Sequence, residues 1–91
     1  MTATYKDLID TVIKREFGIL GRDRMMGILK DLKMEVDAAG LLKSNGATIS
    51  DLERLLQLLS EKYGAVAVMG CKIAVGRMAR ESNLELPTIL K

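Results

Sequence analysis

The chain has no histidine. This one absence excludes imidazole acid–base catalysis, histidine-containing triads and most zinc sites. The chemistry that remains rests on one thiol, a set of carboxylates and scattered basic side chains. Cys71 is the only cysteine, so it forms no intramolecular disulfide and no thiolate cluster. It lies in the most apolar stretch of the chain with Lys72 as its one charged neighbour, a setting in which a thiol behaves as a small hydrophobe rather than a nucleophile. Asp7, Asp10, Glu16, Asp31, Glu35, Asp37, Asp51 and Glu53 fall mostly on faces expected to be solvated, where carboxylates serve as caps and i,i+4 partners. No Walker or dinucleotide glycine pattern and no acidic calcium loop is present. No catalytic residue, metal ligand or cofactor is therefore assigned.

Two basic groups invite an anionic partner. Arg22 and Arg24 flank Asp23 at the start of a helix, where free amides and two guanidiniums can surround a phosphate or carboxylate. Lys72, Arg77 and Arg80 form an arc on a later helix that can follow a nucleic-acid backbone. The plainer explanation of each is solvation, and cations in a last helical turn also oppose the helix dipole. Fourteen basic and twelve acidic side chains nearly cancel and are interspersed, so no long-range field toward nucleic acid is expected.

These residues are carried on helices. Tyr5, Leu8, Ile9, Val12, Ile13, Phe17 and Leu20 recur at helical spacing, with Thr4 and Asp7 marking the start and Gly18 or Gly21 the stop. A second helix from about Arg22 carries Met25, Ile28, Leu29 and Leu32, and its pattern continues through Val36 and Ala39 to Gly40. Asn45 and Gly46 place a turn within a loop at about 41–48. Ser50 and Glu53 match a capping box that opens a third helix with Leu52, Leu55, Leu56, Leu58, Leu59 and Tyr63. After Gly64 a fourth helix runs from Ala65 to roughly Ser82. It is apolar almost all round for two turns, so its start is expected in the centre of the core. Ala67, Gly70 and Ala74 form a small-residue strip where another helix can approach, and Gly70→Leu is expected to overpack it. Asn83 closes the helix and Pro87 stops any continuation.

Shifting the sequence by 46 positions superposes Ile9 on Leu55, Phe17 on Tyr63 and Gly18 on Gly64. The fold expected is a single all-α domain over residues 1–91. It is a small four-helix bundle of two αα-hairpins, about 4–40 and 49–83, with a short non-helical C-terminal tail at 84–91. Phe17 and Tyr63 should pack at the two hairpin corners.

The apolar fraction is 48%, more helix face than so short a chain easily hides. No stretch reaches the roughly 20 apolar residues of a membrane span, and nothing at the N-terminus reads as a signal peptide. We therefore expect a cytoplasmic, non-enzymatic protein-interaction or regulatory module that forms a homodimer or binds another protein. The candidate interface is Met26, Met34, Leu58 and the tail residues Leu84, Leu86, Ile89 and Leu90. The alternative is a small nucleic-acid-binding or transcription-associated protein, using the basic arc of the fourth helix with Arg22, Arg24 and Lys43.

Overall fold

A computed structural model describes residues 3–38, 40–43 and 47–86. It contains four helices, α1 (Tyr5–Leu20), α2 (Arg22–Asp31), α3 (Ile49–Tyr63) and α4 (Ala65–Glu81). The described residues include no strand beyond one isolated bridge, Val36 to Leu42. The all-α bundle of two hairpins is thus the fold observed. Helix α1 packs on α2, α3 and α4, and α3 also touches the other three, which leaves α2 and α4 on opposite sides.

Each hairpin starts and turns by the same chemistry. Thr4 and Asp7 cap α1 reciprocally, the Thr4 amide donating to Asp7 Oδ2 at 2.8 Å. The box that opens α3 is Thr48 with Asp51 at 3.0 Å, two residues before the expected Ser50 and Glu53. Threonine in extended backbone can reach the third amide of the helix, whereas Ser50 is already inside it. The corners are Gly21 (φ 89°) and Gly64 (φ 83°), a backbone region that favours glycine. Gly18 lies within α1. The repeat therefore runs at an offset of 43, from Gly21 to Gly64, rather than 46. This pairs Ile9 with Leu52, Val12 with Leu55, Ile13 with Leu56, Met25 with Val68 and Ile28 with Cys71, all buried. The offset of 46 differs from it by nearly one turn, which keeps an amphipathic pattern almost in phase.

Helix α2 stops at Asp31, well short of Gly40. Lys33 takes a left-handed φ of 59°, the Met34 amide reaches the Leu29 carbonyl at 2.8 Å and the Lys33 amide that of Lys30 at 3.0 Å. Helix α4 ends the same way, with Asn83 at φ 57° and the Leu84 amide on the Ala79 carbonyl at 2.8 Å. Beyond α2 the chain bends back on itself, the Asp37 amide donating to Leu41 and that of Lys43 to Glu35. This seats Leu42 in the core. The non-helical connection thus begins at Leu32 instead of the expected Leu41, and Ala39, Ser44, Asn45 and Gly46 lie outside the described residues.

Tyr63 is half-buried at the α3–α4 corner. Phe17, also half-buried, packs beneath Gly40, and the Arg22 guanidinium lies 5.6 Å from its ring centre. A Cβ at Gly40 would stand 2.6 Å from Phe17 Cε2, on backbone with φ 83°. One at Gly70 would meet Ile19 Cδ1 at 3.4 Å, an ordinary contact, so the overpacking expected there does not arise from the backbone approach. Gly40→Ala should accordingly cost about 1–3 kcal/mol. Gly70→Ala should be neutral or stabilise by up to about 1 kcal/mol through helix propensity. Urea unfolding of the two variants checks both, and equal losses would refute this assignment of the glycines.

Candidate functional site

Helices α1 and α4 run antiparallel, and side chains join them along their whole length. The Ala3 amide donates to Ser82 Oγ at 2.7 Å and the Tyr5 hydroxyl to the Glu85 carbonyl at 2.9 Å. Further along, the Thr11 hydroxyl meets Met78 Sδ at 3.2 Å, and Cys71 Sγ–H donates to Glu16 Oε1 at 3.2 Å. Ile19 then lies against Gly70. The one chemically loaded contact of this series is the pair Glu16 and Cys71. Both side chains are fully buried, and Glu16 Oε2 has no hydrogen-bond partner among the described residues.

Burial pushes the Glu16 carboxyl above its ordinary range, partly opposed by the Cys71 hydrogen bond and the charge of Arg15. Burial, with the Glu16 contact second, pushes the Cys71 thiol up to about 12. A thiol held protonated and away from solvent is a poor nucleophile. The expectation that Cys71 acts as a small hydrophobe fits this geometry, whereas the expectation of solvated carboxylates fails for two of them. Glu16 sits in the core, and Asp10 is buried where the 40–43 segment folds over α1. There Asp10 accepts from the Leu42 amide at 2.7 Å and from Lys6 Nζ at 2.8 Å. Glu16 lies four residues after Val12 and three after Ile13, in phase with the apolar stripe, so its burial has a signal in the sequence. No group of three or more metal-ligating side chains occurs among the described residues.

The outer surface of the same helix pair is the second candidate. Ala67, Val68, Cys71, Val75 and Ala79 form the buried face of α4, and opposite them stand Val66, Met69 and Ile73, exposed by 79%, 66% and 78%. The start of α4 is therefore not enclosed by the core. With α1 and α3 on one side of it and α2 across the bundle, no element among the described residues covers the outer face. Ile19 of α1, 53% exposed, extends the patch. A groove of about 560 Å³ between the helices is lined by Arg15, Met69, Gly70, Ile73, Ala74 and Arg77.

The remaining sequence candidates separate. Met26 and Met34 line one groove of about 600 Å³ with Lys30, Lys33, Val36 and Lys43, on the opposite side of the bundle. Leu58, Leu84 and Leu86 are half-buried against the chain's own core. The described part of the tail thus docks on its own bundle, drawn in by the Leu84 amide and the Tyr5 hydroxyl bond, while Ile89 and Leu90 lie outside the described residues. Arg22 is drawn over Phe17, and Arg24 is exposed. Lys72, Arg77 and Arg80 are all exposed on α4.

The Glu16 geometry fixes the sign of a pH dependence. The native state holds the Glu16 proton to higher pH than the unfolded chain, which releases it near its ordinary value of 4.5. The contribution of Glu16 to stability is therefore greatest below that value and falls as pH rises from it to the raised native value. A second decline starts above pH 9.0, the ordinary value of the thiol that the fold pushes to about 12. Glu16→Met should remove the first decline and raise stability at pH 7 by about 1–3 kcal/mol, the scale of an unsatisfied buried polar group. Chemical unfolding from pH 4 to pH 8 would contradict the assignment if the wild-type protein and the Glu16→Met variant followed parallel curves. Compared with known proteins, the chain matches no family model, no curated protein and no solved structure.

Proposed function

We propose that this protein is a non-enzymatic helical interaction module whose working surface is the outer face of α4 with the adjoining end of α1. The observation that carries this reading is the exposed row Val66, Met69 and Ile73, joined by Ile19, on a helix whose inner face is already closed by the bundle. Large apolar side chains spaced at i, i+3 and i+7 form the seam by which one helix docks on another. A contiguous apolar patch beside a groove is a common mark of a protein contact. The buried thiol and carboxyl serve the fold in this reading and take no part in a reaction.

A photo-reactive amino acid at position 73, introduced in cells that normally make the protein, tests this face against another. Position 57, exposed on α3, is the control. Adducts to one discrete polypeptide from position 73 and none from position 57 are expected. That polypeptide can be another chain or a second copy, the latter giving an adduct of twice 10.0 kDa. No adduct from position 73, or the same adducts from both positions, would overturn the reading.

A further inference from the structure

The outer face of α4 is divided along its length. Val66, Met69, Ile73, Arg77 and Arg80 succeed one another at intervals of three and four residues, so they form one line down the helix. The first three are apolar and the last two cationic. No Asp or Glu occurs in α4 before Glu81, its last residue. On the α1 side of the groove Arg15 stands with Arg77. The adjacent carboxyl of that helix, Glu16, faces inward, fully buried. The surface is thus an apolar seat continued by a cationic end, where Arg77, Arg80 and Arg15 outnumber the one carboxylate of α4, Glu81, four residues beyond Arg77.

From this division we infer that the α1/α4 groove receives an amphipathic helix of another polypeptide, one whose apolar stripe is followed by carboxylates. The inference rests on the interaction-module reading and specifies the partner's chemistry. Apolar side chains of that helix pack on Ile19, Met69 and Ile73, where Gly70 and Ala74 keep the groove floor low and allow close approach. Its carboxylates, one to two turns along, meet Arg77 and Arg15, and such charge matching sets orientation and raises the rate of encounter.

A second copy fits less well. Antiparallel pairing of two α4 helices places each Arg77 and Arg80 end over the partner's Ala65 and Val66, where no carboxylate pairs with it and the helix dipole is positive. A bilayer fits less well again, because the site is a groove, and the aromatic anchors favoured at lipid interfaces are absent from it. Phe17, Tyr5 and Tyr63 are each half-buried against the core.

The test uses the full chain and a fluorescent helical peptide of about 18 residues, some five turns. Its leucines follow i, i+3, i+7 spacing and its second half is flanked by glutamates. A twin peptide carries lysine in place of each glutamate, and vesicles of anionic phospholipid form a third arm. The acidic peptide should bind in fluorescence anisotropy, and its affinity should fall as salt is raised. Ile73→Ser and Arg77→Glu should each weaken binding by about tenfold or more, while Arg77→Glu gains affinity for the lysine peptide. Met26→Ser, on the opposite groove, should change nothing. Circular dichroism confirms that each variant is folded, as expected for exposed positions.

Equal binding of both peptides, or binding indifferent to Arg77→Glu, would overturn the inference. So would vesicle binding in the absence of peptide binding. If the peptide fails while position 73 still cross-links to a polypeptide, the partner chemistry is wrong and the interaction reading stands. If both fail, both fall.

Discussion

The structure depends on the antiparallel seam between α1 and α4. These helices belong to different hairpins, and their seam is the most extensive of the contacts, α1 with α3 and α2 with α3 being the others, that join two hairpins into one bundle. On the buried face of α4 stand Ala67, Cys71 and Ala79 beside Val68 and Val75, and small side chains allow helix backbones to approach closely. A chain with three aromatic residues cannot fill wide interhelical space, so close approach is how it excludes water. Polar bonds then fix the register at the far end, through Ala3 to Ser82 and Tyr5 to Glu85. Apolar surface alone would tolerate sliding by a turn, whereas these bonds do not.

Glu16 is the point at which the seam departs from simple packing. In the repeat at offset 43 its counterpart is Leu59, also fully buried. One hairpin therefore places a carboxyl where the other places a leucine. The carboxyl shares one oxygen with a weak donor and leaves the other unsatisfied, an arrangement costlier than an apolar side chain of similar size. Burial raises the pKa of both the thiol and the carboxyl, and neither is offered to solvent. The pair is an internal polar contact between α1 and α4.

Much of this was legible in the sequence. Four helices, the Gly64 corner, the Thr4 cap and the Asn83 stop all follow from residues with strong local preferences. Lys33 is the counterexample. It ends α2 in the left-handed conformation that Asn83 adopts for α4, but lysine carries no local signal for that conformation, so the periodic pattern runs on through Val36. The capping box is ambiguous for a similar reason. Thr48 with Asp51 and Ser50 with Glu53 both have the right spacing, and only the helix start separates them. The buried position of Glu16 is visible as a phase, but its identity as a carboxylate argues against the phase. What the sequence could not indicate was which face of α4 would be covered, since that depends on where α2 lies and not on anything within α4 itself.

That last point bears on function. An isolated α4 is apolar on two opposite faces and has a use for both only if something meets each of them. The inner face meets α1 and α3. The outer face has Arg77 and Arg80 in line with Ile73, on exposed positions where polar side chains do not disturb the fold. If solubility alone had shaped this face, the same tolerance would extend to Val66, Met69 and Ile73, since each is more than half exposed and contributes little to the core. Residues that large and apolar, in one line at helical spacing beside a groove with a low floor, are the features on which the proposed seat for another helix rests. In that proposal, the cations that follow them would set the direction in which the helix lies.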